Sequence, residues 1–172
     1  MMEAADLKEI PLFERLSSDE REELAQLLEA ASFRVGEKIF EEGEPEETLY
    51  VVTSGTVEVH KKVFAERTQR LAIIRAPTVV GEVGLLTEPR ACATVVARTR
   101  IQAYGIERDR LLELLEADSL AAWKLVYELG RTLAERMART DESIAEIIAR
   151  LDRAETRDLN VFQDKLIREW SF

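Results

Sequence analysis

The sequence predicts an α+β fold in which a double-stranded β-helix, or jelly-roll barrel, is flanked by an N-terminal helix, a long C-terminal helix and a tail helix. Two changes of pattern support this prediction. Between Ser32 and Ile106 the chain consists of short alternating runs separated by Gly and Pro, which is typical of a β jelly roll. From Glu107 onward it contains no Pro and only Gly130 as a helix breaker, which favours helix.

The N-terminal helical region is expected between Leu7 and Leu28, and this region contains a turn at Pro11. Ser17 is followed three residues later by Glu20, the pattern of a capping box, in which each side chain bonds the backbone amide of the other residue. The apolar residues that follow at helical spacing are Leu24, Leu27 and Leu28.

The composition narrows the class of protein. With 34 acidic and 24 basic residues the net charge is −10, which opposes the electrostatic attraction on which nucleic-acid binding depends. A single Cys excludes an internal disulfide, and there is no apolar stretch of signal-peptide or membrane-spanning length. We therefore expect a cytoplasmic protein that binds neither nucleic acid nor membrane. One His argues against a metal enzyme of cupin type, which needs several His ligands, so no metal is expected.

The segment from Val80 to Thr94 has the features of a phosphate cradle. Gly81 allows a sharp turn, and the amides that open the next helical turn would direct their unpaired N–H groups at an anion. Arg90 would supply a planar fork of donors for two phosphate oxygens, and the Glu82 carboxylate would accept from a ribose hydroxyl. The residues predicted to line the site are Gly81, Glu82, Val83, Gly84, Arg90, Ala91 and Cys92.

With these residues the chain resembles the cyclic-nucleotide-binding domain family, which includes bacterial catabolite activators, regulatory subunits of cyclic-AMP-dependent kinases and cyclic-nucleotide-gated channels. Gly36–Gly43 and Leu49–Val59 look like the first strands and turns of that family's β-roll, so the resemblance runs from about Leu7 to Leu151. It implies a regulatory, non-enzymatic domain over residues 1–151 with cAMP or cGMP as its ligand, followed by an amphipathic tail at 152–172.

The spacing around Arg90 departs from the family's pattern. The distance from Glu82 to Arg90 is one residue short, and the run from Arg90 to Thr94 is one residue long. An ungapped alignment puts Ala91 in the position of the phosphate-binding Arg. A deletion in the short helix with a compensating bulge keeps Pro89 and Arg90 together, and we favour it because the Pro-Arg dipeptide is intact.

Three further positions are interpreted without a chemical role. Glu46 and Glu47 stand in a loop where the family often has Gly and Asp, which predicts a rearranged turn and no chemistry. Cys92 would line the cradle, and a small buried side chain is favoured over a redox role.

The long C-terminal helix carries an apolar seam of coiled-coil spacing, which predicts a homodimer. The alternative is that the seam packs on its own β-roll, which we expect in part near Trp123 and Val126. From Leu133 to Leu151 the seam extends past what a roll could cover, so pairing of two copies is favoured there. The seam consists of Val126, Gly130, Leu133, Met137, Thr140, Ile144, Ile147 and Leu151.

Thr140 is the one hydroxyl residue of this seam. Its side chain is either bonded to the carbonyl one turn back or faces a polar ligand. In catabolite activators the resembling Thr meets the adenine ring from a dimer partner, so the resemblance implies that Thr140 is a ligand-binding residue.

The tail at 152–172 leaves no room for the helix-turn-helix module of the family's transcription factors, so DNA binding is not expected. Its apolar residues predict an amphipathic helix that folds back, crosses the dimer partner or docks an unknown protein. They are Leu159, Phe162, Leu166 and Trp170. Two functions are therefore weighed: a cyclic-nucleotide sensor that signals through its C-terminal helices, and a ligand-free interaction module of the same fold. An enzyme is a distant third, because no cluster of nucleophile, base and orienting group is visible.

Overall fold

A computed structural model describes residues 7–63, 67–87 and 89–151 of the chain. These residues form a β-roll with helices before and after it, which confirms the predicted fold class. The tail predicted as a helix at 152–172 lies outside the described residues. The strands are β1 (Glu29–Phe33), β2 (Lys38–Phe40), β3 (Thr48–Ser54), β4 (Thr56–Lys62), β5 (Thr68–Arg75), β6 (Thr78–Val80), β7 (Thr94–Ala97) and β8 (Ile101–Glu107). The helices are a 3-10 turn (Pro11–Phe13), α1 (Ser18–Ala25), α2 (Glu82–Leu86), α3 (Arg108–Glu116) and α4 (Leu120–Leu151).

The capping box at the start of α1 is confirmed. The Ser17 hydroxyl accepts from the Glu20 amide at 3.2 Å, and the Glu20 carboxylate accepts from the Ser17 amide at 2.7 Å. The same carboxylate accepts from Lys124 Nζ at 2.6 Å, which links the first turn of α1 to α4. These bonds lower the pKa of Glu20, with the bond from Lys124 as the largest cause.

The strands form two four-stranded antiparallel sheets, in the orders β1-β8-β3-β6 and β2-β7-β4-β5. Most spatial neighbours are not consecutive in the chain, as a jelly roll requires. An apolar core to which strands of both sheets contribute fills the roll. It contains Phe40, Val52, Val57, Val80, Ala91, Val95, Ala97, Ile101 and Ala103.

A second core joins the helices to the first of these sheets. On β3, Val51 belongs to the second core and the adjacent Val52 to the roll interior, so both faces of this strand are buried. The second core draws on both ends of the chain. Its members include Leu7, Ile10, Leu12, Phe13, Leu16 and Leu24 from the N-terminal segment, and Leu111, Ala121, Ala122, Leu125 and Leu129 from α3 and α4.

The C-terminal helical region is interrupted at residues 117–119, a break that the sequence pattern did not predict. Asp118 has a left-handed backbone with φ of 57°, and the Ser119 hydroxyl accepts from the Ala122 amide at 3.2 Å. This contact caps α4. Gly130 lies inside an unbroken helix, since one Gly costs a helix only about 1 kcal/mol relative to Ala.

The described chain divides into two compact units, Met1–Leu129 and Gly130–Phe172, and each is described by itself. In the first unit Val126 packs against the second core, as expected for this part of the seam, while Trp123, one turn before it, is 53% exposed. In the second unit the seam residues Met137 and Ile147 are more than half exposed. No helix within the described residues is long and apolar enough to cross a membrane.

Candidate functional site

The predicted Gly turn lies between β6 and α2. Gly81 has φ of 92°, and a Cβ atom added there would lie 2.5 Å from the Thr48 carbonyl oxygen and 2.9 Å from Phe40 Cζ. Both the left-handed backbone and the close packing therefore require Gly. This turn directs the chain from the sheet into the short helix that carries the remaining residues of the predicted cradle.

Glu82 is the first residue of α2 and is only 6% exposed. A carboxylate in the first turn of a helix is stabilised by the unpaired amides and the dipole there. The Leu85 N–H donates to the Gly81 carbonyl at 3.2 Å, and this bond forms the first turn of α2. The structure thus places a buried acidic group directly after the Gly turn, where the ribose-binding carboxylate is predicted.

A second buried carboxylate lies against the same helix. Glu46 is 5% exposed, and its Oε1 accepts a hydrogen bond from the Gly84 amide at 3.2 Å. A Cβ atom on residue 84 would lie 2.8 Å from that oxygen, so Gly84 leaves the space that the Glu46 side chain fills. Burial raises the pKa of Glu46, and the charge of Glu82 raises it further, while the bond from Gly84 opposes the shift.

Glu46 and Arg90 lie on two antiparallel segments that we call the ribbon, residues 43–46 and 89–91. Its backbone bonds are Gly43 N–H to the Ala91 carbonyl at 2.8 Å, Ala91 N–H to the Glu44 carbonyl at 2.9 Å and Glu46 N–H to the Pro89 carbonyl at 3.0 Å. Pro45 and Arg90 are bridge partners within it. The ribbon therefore fixes the backbone on which both side chains stand.

Neighbouring residues of the ribbon point in opposite directions. Arg90 is exposed, and its guanidinium donates to the Gly43 carbonyl at 2.9 Å. Ala91 is 3% exposed and belongs to the core inside the roll. Ala91 therefore takes the inward position. The phosphate-binding role of Arg90 stays a prediction.

Cys92 is exposed, so the prediction of a small buried side chain is wrong. The reason is the course of the chain before β7, in which Ala91 and Ala93 are buried and Cys92 between them is not. Lys61 Nζ donates to the Cys92 carbonyl and forms an ion pair of 2.9 Å with Glu42. A cation of β4 thus lies beside the segment that follows Arg90.

Thr140 belongs to the second unit and is exposed. Its hydroxyl donates to the Arg136 carbonyl at 2.9 Å, the bond to the preceding turn that was one of the two alternatives for this residue. Contact between Thr140 and a ligand stays a prediction.

The remaining candidate sites carry no predicted site residue. The described part of the chain holds no group of three or more His, Cys, Asp and Glu side chains that could bind a metal ion. His60 is paired with Glu58 at 3.2 Å. An open groove of about 830 Å³ is lined by Ser32, Phe33, Arg34, Val35, Glu37 and Arg100.

Glu46 is the residue that sequence reasoning missed. A Glu at a position where the family often has Gly indicates only a change of turn. The contact that gives Glu46 its place at the cradle joins residues 38 positions apart, so local pattern carries no sign of it.

Comparisons with known proteins show what this chain is similar to. A family model for the cyclic nucleotide-binding domain matches residues 30–118. The chain is 28% identical over 125 residues to the CRP-like cAMP-activated global transcriptional regulator of Mycobacterium tuberculosis, covering 73% of this chain and 54% of the regulator. It is 33% identical over 114 residues to the cAMP-dependent protein kinase regulatory subunit of Aspergillus fumigatus, covering 66% of this chain and 27% of that subunit.

Solved structures show the same fold. A cyclic nucleotide-binding domain from Methylobacillus flagellatus superposes with a TM-score of 0.74 at 23% identity, over 81% of this chain and 79% of that domain. The chain spans about half or less of the length of the two curated relatives, so the match concerns only part of each. Because the family model covers more than half of the 172 residues, the chain belongs to the cyclic nucleotide-binding domain family.

Proposed function

We propose that this protein is a non-enzymatic regulatory module that binds cAMP or cGMP at the cradle around α2. The observation that carries the proposal is the left-handed Gly81 followed by a buried Glu82 at the start of α2. This pair offers an acidic acceptor for a ribose hydroxyl next to backbone donors for a phosphate.

The ligand is assigned from chemistry and kinship together. A cyclic nucleotide has one anionic phosphodiester and one free ribose hydroxyl, for which Arg90 and Glu82 offer a cationic partner and an acidic acceptor. The names of the bacterial and the fungal relative both include cAMP, which favours it as the first nucleotide to test. In the proposal Gly81, Val83 and Gly84 supply backbone contacts, and Arg90 pairs with the phosphate.

In the same proposal Ala91 and Cys92 line the nucleotide site, and Thr140 contacts the base of the nucleotide. Cys92 contributes backbone to such a site, since its side chain is exposed. We expect Thr140→Ala to bind the nucleotide with lower affinity. In this structure the Thr140 hydroxyl donates to the Arg136 carbonyl one turn back.

We further propose that α4 pairs with a second copy along its seam and carries the signal. In the second unit Met137 is 52% and Ile147 is 55% exposed, so a row of apolar side chains is open to a partner helix. A homodimer is the simplest partner for a self-complementary seam. The output is then a change in the pairing of these helices, without contact to DNA.

A ligand-free interaction module is the second candidate, and one observation favours it. The Gly84 amide is already bonded to Glu46, and the Arg90 guanidinium is bonded to the Gly43 carbonyl. Two donors of the cradle thus have partners within the chain. A module of this kind would use its helices alone.

Calorimetric titration with cAMP and with cGMP separates the two candidates. The sensor predicts saturable binding that Glu82→Gln weakens by about tenfold or more, because a ribose hydroxyl loses a charged acceptor. Glu113→Gln is the matched control, an exposed acid on α3 whose change should leave affinity within about twofold. Absence of binding to both nucleotides would favour the ligand-free module.

Hydrogen exchange tests the signalling part of the proposal. We expect saturating nucleotide to change the protection of amides at 130–151, because a signal through α4 must alter the population of its states. Unchanged exchange in this segment, with binding shown by calorimetry, would reject signalling through α4. Salt-sensitive binding to duplex DNA would contradict the proposed output.

A further inference from the structure

We propose that the Glu46 carboxylate is a built-in competitor for the nucleotide phosphate: it accepts a hydrogen bond from the Gly84 amide and must release this amide when the phosphate binds. This inference rests on the proposed function and names the residue that sets the affinity of that site. It also assigns chemistry to a position whose sequence pattern suggested none.

The first step of the argument is chemical likeness. A carboxylate, like a phosphodiester, presents two oxygens that share one negative charge and accept from backbone amides. Glu46 Oε1 accepts from the Gly84 amide at 3.2 Å. Gly84 is one of the residues whose backbone is assigned to the phosphate, so the two anions would need the same donor.

The second step is space. Atoms Oε1, Cδ and Cβ of Glu46 all lie within 3.1 Å of the position of a Cβ atom on residue 84. The Glu46 side chain therefore covers the backbone of α2 at this point, with only 5% of the residue exposed. A phosphate cannot reach the Gly84 amide until this side chain turns away.

The third step is anchoring. Glu46 N–H donates to the Pro89 carbonyl at 3.0 Å. Arg90 follows Pro89 on that opposite segment of the ribbon and is the bridge partner of Pro45. The backbone of Glu46 is thus fixed, and rotation of its side chain is the movement that frees the cradle. Competition by a tethered group of this kind lowers the apparent affinity by the fraction of molecules in which the cradle is open.

The fourth step is charge. Glu82 on α2 and Glu46 already repel each other, as the effect of Glu82 on the pKa of Glu46 shows. Partial burial raises the pKa of the Cys92 thiol, the charges of Glu46 and Glu82 raise it further, and Lys61 lowers it. A phosphate would bring a third negative charge to this place, which makes simultaneous occupation by an ionised Glu46 unfavourable.

The experiment is a calorimetric titration of four full-length proteins with cAMP and with cGMP: the unchanged chain, Glu46→Ala, Glu46→Gln and Glu47→Ala. Glu46→Ala should bind about ten- to a hundredfold more tightly, because the competing hydrogen bond and its charge are removed. Glu46→Gln keeps an acceptor without the charge and should fall between. Glu47 is the exposed neighbour, and Glu47→Ala should stay within about twofold of the unchanged chain.

A second measurement follows the contact itself without nucleotide. In Glu46→Ala the NMR chemical shift of the Gly84 amide should change and its hydrogen exchange should become faster, because the amide loses its acceptor. Glu47→Ala should leave this amide unchanged. Circular dichroism confirms folding of each variant, and Glu46→Gln decides the matter if the Ala variant fails to fold.

The outcomes separate this inference from the proposed function. Equal affinity of the unchanged chain and both Glu46 variants overturns the competition and leaves the sensor standing. Binding by the Glu46 variants alone supports the competition and shows that the unchanged chain is closed to nucleotide. Binding by none of the four proteins overturns the proposed function and the competition together.

Discussion

The Thr48 carbonyl oxygen lies 2.5 Å from the position that a Cβ atom on Gly81 would occupy. The same Gly has a left-handed backbone with φ of 92°. Strand β3 and the turn into α2 are therefore packed so closely that the cradle has one allowed residue at its entrance. Any change at this position acts on the fold and the site at once.

Replacement of Gly81 by Ala should lower the free energy of unfolding by about 2 to 5 kcal/mol, because a strained backbone and a steric clash are combined. Urea denaturation measures the change. Gly36→Ala is the control: Gly36 has a similar φ of 83° but nothing within 4 Å of an added Cβ, so it should lose only about 1 to 2 kcal/mol. An equal loss in both variants would mean that the contact with Thr48 has no energetic effect.

Replacement of Arg90 by Ala should weaken cyclic-nucleotide binding by about 2 to 5 kcal/mol, since the phosphate would lose its charged partner. Calorimetry with cAMP is the measurement. Arg75→Ala removes an exposed Arg on β5 and should not change the affinity. Unchanged affinity in Arg90→Ala would show that this guanidinium stays at the Gly43 carbonyl and is not a ligand.

Replacement of Glu46 by Gln should stabilise the protein more at neutral pH than at acidic pH. Burial raises the pKa of Glu46 in the folded protein above its ordinary value of 4.5. The folded state therefore holds the proton of the Glu46 carboxyl group more tightly than the unfolded state does. The free energy of unfolding is highest below the ordinary pKa and declines as the pH rises through the raised pKa. Gln does not titrate and avoids this decline.

The measurement is the urea midpoint of the unchanged chain and the Gln variant at about pH 4 and about pH 7. The difference between the two proteins should grow with pH. Glu47→Gln removes an exposed acid and should show the same difference at both pH values. A Glu46→Gln effect that is constant or shrinks toward neutral pH would contradict the raised pKa.

Replacement of both Met137 and Ile144 by Glu should yield a monomer, because like charges then face each other along the seam. Analytical ultracentrifugation measures the mass. Ala138 and Ala145 lie off the seam and are exposed, so the same double change to Glu there should leave a dimer. A dimer that survives the seam substitutions would place the interface elsewhere.

The elements that sequence pattern predicts well here are those whose signals are local. The capping box of Ser17 and Glu20 needs only three residues, and the Gly81 turn is visible from the Gly and the acid after it. The alternating runs of β3 and β4 predict strands for the same reason. The runs also indicate a jelly roll, but they do not show which strands pair within each sheet.

The parts that sequence pattern could not predict depend on contacts between distant segments. Whether residue 90 or residue 91 points into the roll is a matter of one residue of register, which the pairing of Pro45 with Arg90 determines. The hydrogen bond of Glu46 to Gly84 likewise needs the ribbon to exist first. The break at Asp118 was missed because a non-Gly residue adopts the left-handed conformation there.

The second core has a consequence for how the chain can be divided. Residues 30–118 match the family model, but Leu24 and Phe13 before that range are fully buried against Leu125 and Leu129 after it. A fragment limited to the matched residues would lose both sides of this contact and leave the outer face of the first sheet uncovered. Such a fragment should aggregate, because the apolar face of the sheet would be exposed to solvent without the helices that cover it. The smallest autonomous piece therefore has to include the flanking helices, and protease trimming should stop outside them.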